Sequence, residues 1–285
     1  MKSATLIGLR SRGTTNKQMI VPIGDSHDQR LEAFRWRDRQ LASSTDRKEK
    51  VGAGLFIAEG DLVVDRALQA GCTATSLLCD DSMAERYESA IPNVVIYTAD
   101  ENIRRDVTGL GVPLRAMGLF QRPPLTAPES LLATTRRLVV AEAIDNPTNL
   151  GAIIRSAVGL GWEGILLSSG SADPLARRAL RVSMGTGLML PFARMSGDEN
   201  IQSLLRRHEF RSFALTPHAS GTDLRTISLE ESDRVAIFLG SERDGLHHDT
   251  MSEADELVRI PMYSHVDSLN VGAAAAIALF ELGPT

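Results

Sequence analysis

Three polar segments carry the side chains that could bind and orient a substrate. "NPTNLGAIIRSA" (146–157) contains Asn149 and Arg155, "FLGSERDGL" (238–246) contains Glu242, and "IPMYSHVDSLNV" (260–271) contains Ser268 and Asn270. A guanidinium can hold a phosphate through parallel hydrogen bonds, and amide, carboxylate and hydroxyl groups can orient a hydroxyl group. These segments are where we expect the function to lie.

Arg155 is a cation in a stretch that is otherwise apolar at helical spacing. Two interpretations are open: a buried ion pair, or an exposed arginine that holds a phosphate on a helix whose N-terminus favours anions. Asn149 is either the N-cap of this helix or a site residue. At the start of the alanine-rich helix that ends the chain, capping accounts for Ser268 or Asn270 but not for both.

Two glycines bracket the second segment. Gly240 ends an apolar strand and permits a close approach of the backbone to a ligand, while Gly245 permits a tight return of the chain. The residues between them are polar and charged, which is typical of a ligand-binding loop.

Short apolar runs alternate with helical patterns after residue 135, as in "RLVVAEAI", "NLGAIIRSAVGLG", "EGILLSS" and "RVAIFLG". This alternation predicts a parallel sheet covered by helices on both faces. Ligands of such sheets bind outside the carboxyl ends of the strands, where the three polar segments begin. An earlier group of strands, including "LFIAEG", "ATSLLCDD" and "NVVIYTAD", predicts a smaller α/β unit.

The domain organisation follows from composition. We expect a basic, flexible tail over 1–25, an N-terminal domain over 26–120, a linker over 121–134 and a second domain over 135–285. The linker prediction rests on "QRPPLTAPES", because its three prolines disfavour both helix and strand.

Composition excludes several classes of protein. The chain has 285 residues and a net charge of −5, but residues 1–50 hold 11 Lys and Arg against 6 Asp and Glu. That basic segment is either a solvated tail or a segment that binds nucleic acid through its positive charge. No apolar run is long enough to span a membrane, and two cysteines, Cys72 and Cys79, are too few for a disulfide framework. We expect buried, reduced thiols, a cytoplasmic location and no metal.

Other motifs are absent or misplaced. "GLGWEG" (159–164) matches a dinucleotide-binding pattern, but it lies at a helix end and leads into a strand, which is the reverse of the required context. The sequence has no phosphate-binding P-loop and no nucleophile elbow. His247 and His248 are adjacent, which favours a surface turn over a metal site.

The three segments, in this order and spacing, resemble the signature motifs of the SPOUT-class, TrmH-type (SpoU family) RNA ribose 2′-O-methyltransferases. The resemblance covers roughly residues 137–282, and "RVSMGTGLMLP" (181–191) is similar to the segment between the first two motifs. Residues 30–120 resemble, more weakly, the ribosomal-protein-like RNA-binding domain of these enzymes. Two positions depart from the pattern: Ser264 replaces a glycine, and Gly272 replaces a serine or alanine.

The resemblance implies an α/β fold with a trefoil knot, S-adenosylmethionine as cofactor, RNA as substrate and a homodimer with its active site near the subunit boundary. It implies that Arg155 is catalytic, with Asn149, Glu242, Ser268 and Asn270 in support. The cofactor would be held largely by the backbone of Gly240, Ile260 and Leu269, with Thr216, Leu239, Met262 and Ser268 beside it. We interpret Arg155 as a positioning group, because an arginine side chain keeps its proton in proteins and is therefore a poor base.

Alternatives remain at this stage. Ribosomal RNA is favoured over transfer RNA as the substrate, but a transfer RNA ribose methyltransferase and a catalytically silent RNA-binding knot protein are both compatible with the fold. A small-molecule enzyme with a nucleotide cofactor is disfavoured by the missing phosphate loop. The nearly all-apolar helix "VGAAAAIALFEL" (271–282) must be buried on every side, which a dimer interface would provide.

Overall fold

The protein contains two β-sheets, each with its own helices. The structure is a computed structural model that describes residues 19–42, 53–195, 200–263 and 268–284. Most of the predicted tail (1–18) and Ser264 lie outside these residues. None of the helices in the described ranges combines the length and apolarity needed to cross a membrane.

The first sheet is mixed and has the strand order β1-β4-β3-β5-β2. Its strands are β1 (Ile20–Pro22), β2 (Leu55–Glu59), β3 (Ala74–Cys79), β4 (Val95–Thr98) and β5 (Ala116–Gln121). Its helices are α1 (Asp38–Leu41), α2 (Asp61–Gln69), α3 (Asp81–Ala90) and α4 (Glu101–Thr108), with a 3₁₀ helix at Gln29–Arg35. The strand β5 pairs antiparallel with both β2 and β3, whereas β4 pairs parallel with β1 and β3.

The second sheet has seven strands, and every neighbouring pair is parallel, as predicted. Its order is β10-β12-β9-β11-β6-β7-β8. The strands are β6 (Arg137–Ala141), β7 (Gly164–Leu167), β8 (Phe192–Arg194), β9 (Phe210–Leu215), β10 (Thr222–Asp223), β11 (Arg234–Leu239) and β12 (Glu256–Arg259). The helices are α5 (Pro128–Thr134), α6 (Pro147–Gly159), α7 (Arg177–Val182), α8 (Ile201–Arg207), α9 (His248–Glu253) and α10 (Val271–Glu281). Short 3₁₀ helices lie at Thr186–Leu188 and Leu224–Thr226.

Both faces of this sheet are buried, which explains why its strands are continuously apolar. Along β11, Val235 and Ile237 pack into one hydrophobic cluster with α6 and α10, while Ala236 and Phe238 pack into another with α5 and α8. Alternate residues of a strand point to opposite faces, so a strand covered on both sides needs apolar residues at every position.

Two expected segments contain more structure than their sequences indicate. Residues 20–22 of the predicted tail form β1, which pairs with β4. The predicted linker contains α5, because Pro128 stands in its first turn, where no backbone N–H is needed. The expectation that all three prolines disfavour a helix was therefore wrong for Pro128.

The cysteines are free thiols, as expected, but only one is fully buried. Cys72 is half-buried, and Cys79, the last residue of β3, is fully buried in the core. Burial raises the pKa of the Cys79 thiol to about 12. This thiol is consequently protonated and unreactive at neutral pH.

The helices α6 and α7 approach closely at Gly151. A Cβ atom at this position would lie 2.7 Å from the carbonyl oxygen of Ala179 and 3.0 Å from Cβ of Val182. Gly159, on the same helix, has no atom within 4 Å of such a Cβ. The packing of α7 on α6 therefore requires glycine at 151 and not at 159.

We predict that Gly151→Ala lowers the free energy of unfolding by about 1–3 kcal/mol, because a backbone oxygen cannot move aside as a side chain can. Gly159→Ala, the matched control, should leave it unchanged or raise it by up to about 1 kcal/mol through its higher helix propensity. Urea denaturation of both variants would measure the difference. Equal stability of the two variants would contradict the packing argument.

Candidate active site

The carboxyl ends of four neighbouring strands, β12, β9, β11 and β6, face one crevice. The loops that follow β9, β11 and β12, together with the start of α10, enclose a cavity of about 600 Å³. Cavities of roughly 300–1,000 Å³ hold small-molecule cofactors. The crevice expected from the strand pattern is therefore present at the carboxyl edge of the sheet.

All seven predicted cofactor-binding residues line this cavity. They are Thr216, Leu239, Gly240, Ile260, Met262, Ser268 and Leu269. Other lining residues were not predicted, among them Leu215, Pro217, Leu246, Met251, Val271 and Ala274. Most of these are apolar, and only their position in space distinguishes them from ordinary core residues.

The loop after β11 is a tight return. Ser241 and Gly245 exchange backbone hydrogen bonds of 3.2 and 3.0 Å, and Gly245 has a φ of +69°. The predicted role of Gly245 is therefore confirmed. A Cβ atom on Gly240 would lie 2.4 Å from the backbone carbon of Gly245 and 2.4 Å from the nitrogen of Leu246. Gly240 is required first by the loop itself, before any ligand is considered.

Asn149, Glu242 and Asn270 form a polar triad that joins the three motifs. The amide nitrogen of Asn149 donates to the carboxylate of Glu242. The amide nitrogen of Asn270 donates to Oδ1 of Asn149 at 3.2 Å and to Oε1 of Glu242 at 3.1 Å. Because Asn149 is buried while Glu242 is exposed, the triad extends from the interior to the mouth of the crevice.

The two asparagines differ in how they relate to their helices. Asn146, and not Asn149, caps α6: its side chain accepts from the N–H of Thr148 at 2.9 Å, and Pro147 begins the helix. The interpretation of Asn149 as an N-cap was therefore wrong. Asn270 both caps α10, by accepting from the N–H of Gly272, and donates to the triad.

Arg155 is exposed and does not line the cavity of its own chain. Among the described residues, no hydrogen bond or ion pair involves its side chain, so the buried ion pair is excluded. It lies eight residues after Pro147, about 12 Å along α6, which is beyond the first turn where the helix dipole acts. Around the helix axis it lies about 120° from Asn149, so the two side chains leave α6 in different directions.

Glu142 is a further buried residue that motif reasoning missed. It follows β6 directly, and its carboxylate accepts from the backbone N–H of His247 at 2.6 Å and from the hydroxyl of Thr250. His247 is the N-cap of α9 and Thr250 lies in its first turn, and the same helix bears the lining residue Met251. The signal that could have revealed it is an acidic residue just after an apolar strand, the same signal that identified Glu242.

The remaining sequence predictions have clear places. His247 and His248 are exposed at the start of α9, as expected for a surface turn. Gly272 is buried, and a Cβ there would lie 3.1 Å from Cβ of Ala152 on α6. It does not line the cavity, so its departure from the motif pattern affects the contact between α10 and α6 rather than the wall of the cavity.

The family of the chain follows from a comparison with protein-family models. The model of the SpoU rRNA Methylase family matches residues 136–280, just over half of the chain. The chain belongs to the SpoU rRNA methylase family. The resemblance seen in the motifs, the α/β fold class and the expectation of a methyltransferase are thereby confirmed.

Individual relatives cover nearly the whole of this SpoU methylase. An uncharacterized tRNA/rRNA methyltransferase of Mycobacterium bovis is 34% identical over 92% of this chain and 91% of its own. A 23S rRNA guanosine 2′-O-methyltransferase of Bacillus subtilis is 26% identical over 83% and 91%. The structure of an AdoMet-bound rRNA methyltransferase from Sinorhizobium meliloti matches with a TM-score of 0.77 and 27% identity, over 92% of this chain and 97% of that one.

We predict that Gly240→Ala lowers the affinity of this SpoU methylase for S-adenosylmethionine at least about tenfold, roughly 1.4 kcal/mol, because the added methyl group displaces the loop that walls the cavity. Gly170→Ala is the control, since its Cβ would make only ordinary contacts at 3.6 Å. Glu242→Gln should largely retain binding, because the cofactor is expected to contact backbone groups. Calorimetric titration that ranks Glu242→Gln below Gly240→Ala would refute the backbone account.

Proposed function

We propose that this chain transfers a methyl group from S-adenosylmethionine to a ribose 2′-hydroxyl of ribosomal RNA. The observation that carries the proposal is the cavity lined by all seven predicted cofactor residues beside the Asn149–Glu242–Asn270 triad. The cofactor-bound structure from Sinorhizobium meliloti and the 2′-O-methyltransferase of Bacillus subtilis support the same chemistry.

The cavity fits S-adenosylmethionine in size and in the character of its walls. Leu239, Ile260, Met262 and Leu269 offer apolar surface to an adenine ring, and the backbone beside Gly240 offers hydrogen-bonding groups. When bound, the cofactor supplies an electrophilic methyl group on a sulfonium centre. Among the described residues, no group of His, Cys, Asp and Glu side chains is arranged to hold a metal ion.

The triad and Ser268 would orient the ribose. Asn149 and Asn270 hold the carboxylate of Glu242 in place. Ser268 also lines the cavity, two residues before Asn270 in the chain. Positioning a hydroxyl group in line with its reaction partner can lower a barrier by up to roughly 7–11 kcal/mol. Alignment by this set of polar groups therefore accounts for much of the expected catalysis.

Arg155 would contact the RNA phosphate beside the target ribose. Its guanidinium is exposed on α6 and has no hydrogen-bond or ion-pair partner among the described residues, so it can take a phosphate through two parallel hydrogen bonds. We favour this positioning role over proton abstraction. A silent RNA-binding protein has no need of the intact triad, which argues against that alternative.

The choice of ribosomal RNA rests on the relatives. The names of the mycobacterial relatives leave ribosomal and transfer RNA open, whereas that of the Bacillus subtilis relative specifies 23S ribosomal RNA. We propose that residues 26–120 bind this RNA and that residues 135–285 catalyse the transfer. The cytoplasmic location expected from the sequence stays a prediction.

We also infer that two copies assemble through α10. This helix is not buried on all sides in the single chain: Ile277 is 41% and Phe280 71% exposed, and Ala273 lies on the same stripe. A second copy is the partner that the family resemblance implies. Since Arg155 does not line the cavity of its own chain, an active site near the subunit boundary would let it act on the RNA held at the partner's cavity.

We predict that Arg155→Ala leaves cofactor affinity within about twofold while methyl transfer falls 10²-fold or more, about 2.7 kcal/mol of barrier. Single-turnover transfer to ribosomal RNA, with mapping of 2′-O-methyl positions, measures this. Arg155→Lys separates the two roles, because lysine keeps the charge but loses the planar two-donor fork. If Arg155 positions the RNA, methyl transfer by the lysine variant should stay slow at every pH.

Recovery of Arg155→Lys at neutral pH would instead indicate a base, since lysine has a lower pKa than arginine. A wild-type rate for Arg155→Ala would remove the residue from the mechanism. The same mapping, carried out on RNA from cells with and without the gene, tests the proposed substrate directly.

We predict that Phe280→Glu converts a dimer into a monomer, because aromatic interface anchors contribute about 2 kcal/mol or more, roughly a 30-fold change in the dissociation constant. Light scattering coupled to size exclusion measures the mass. Val112→Glu is the control, since Val112 is 55% exposed but lies beside the first sheet. A monomeric wild-type protein, or a dimeric Phe280→Glu variant, would contradict the α10 interface.

A further inference from the structure

The side chain of Glu59, at the end of β2, is 0% exposed and lies between two arginines of α7. Its Oε1 accepts from Nε of Arg177 at 2.9 Å and also from Nη2 of that residue, and its Oε2 accepts from Arg181. The strand β2 belongs to the first sheet, whereas α7 packs on α6, a helix that covers the second sheet. We call Glu59, Arg177 and Arg181 the interdomain clamp.

Further contacts surround the clamp. Arg177 also donates to the carbonyl oxygen of Trp36 at 3.0 Å, and its backbone N–H donates to Asp38 at 3.0 Å. Arg122 and Asp173 form a second ion pair between the two units, with both side chains 6% exposed. The side chains of Glu59, Arg122 and Asp173 are therefore as buried as residues of a protein core.

An apolar cluster fills the same junction. Leu175 and Leu180, which precede and belong to α7, pack among the core residues Phe56, Val64 and Phe120 of the first sheet. Apolar packing is not directional, so it would tolerate sliding of one unit over the other. A buried ion pair does not permit such sliding, because a small rotation of one unit relative to the other would leave the desolvated carboxylate without its partner.

The clamp connects to the proposed active site through two packed helices. The backbone of α7 at Ala179 meets Gly151 of α6, and α6 bears Asn149 and Arg155. Because β2 contacts α7 and α7 contacts α6, a shift of β2 would also move Arg155. RNA held by the first unit would be held at a fixed distance from Arg155.

We propose that Glu59 is a specificity-determining positioning residue, which with Arg177 and Arg181 fixes the N-terminal unit so that bound RNA presents one particular ribose to the active site. This inference rests on the proposed function. It differs from a role in stability alone, which would change the amount of active protein and not the identity of the methylated nucleotide.

The test compares Glu59→Gln with Glu101→Gln. The control removes the same charge from the same unit, but its partner Arg105 is on the same helix and the pair is exposed. For Glu59→Gln we expect cofactor affinity and RNA affinity within about threefold of wild type. We expect kcat at the natural nucleotide to fall tenfold or more, with methyl groups at neighbouring riboses. Glu101→Gln should behave as wild type.

Small-angle X-ray scattering tests the clamp without RNA, so it is independent of the proposed function. Glu59→Gln should broaden the distance distribution by freeing the two units, while the control should not. If Glu59→Gln does not fold, Arg181→Met replaces it, because Arg181 is the more exposed arginine of the clamp. An unchanged scattering profile, or methylation of the natural nucleotide alone at the wild-type rate, would overturn the proposal. Wild-type protein that methylates no RNA would overturn the proposed function. The scattering experiment would still test the interdomain clamp in that case.

Discussion

The hydrogen bonds among Asn149, Glu242 and Asn270 are the constraint around which the active-site region is built. They join residues that are 93 and 28 positions apart in the chain, so they can form only when β6, β11 and the start of α10 are already in place. The parallel order of the sheet meets that condition by bringing the carboxyl ends of neighbouring strands to one edge. Once formed, the triad links the loop after β11 to the start of α10, and both contribute walls of the cavity.

The other features of the sheet follow from the need to position these loops. Gly151 allows α7 to lie against α6, Gly272 allows α10 to approach the same helix, and Gly240 allows the second loop to return on itself. Two side chains of α6 have different surroundings: Asn149 is buried and donates to Glu242 of its own chain, while Arg155 leaves the helix in another direction and is exposed to solvent. This division gives a physical reason for expecting the arginine to act across a subunit boundary.

Local patterns in the sequence predicted local structure well, and pairings between distant residues poorly. The apolar strands, the parallel sheet, the return at Gly245 and the placing of seven named residues around one cavity all follow from short stretches or from motifs. Asn146 and Asn149 are equally good caps by composition, and only Pro147 in the first turn distinguishes them. The hydrogen-bond partners of Glu142 and Glu59 are 105 and 118 or more residues away in the chain. No periodic pattern in the sequence indicates such a pairing. The trefoil knot stays a prediction from the resemblance.

Directional polar contacts and apolar packing have different roles, both at the junction and at the active site. At the junction, leucines and phenylalanines remove surface from water, and Glu59 with its two arginines selects one arrangement among those that packing permits. In the crevice, apolar walls and backbone groups suit the cofactor, and the triad selects one geometry for the loops. Burying an ion is unfavourable unless its partners are in place, so the buried charges at the junction stabilise a single arrangement of the two units and disfavour neighbouring ones. An enzyme that must choose one ribose in a long RNA depends on geometry of that kind, because every nucleotide offers the same hydroxyl group and the same phosphate.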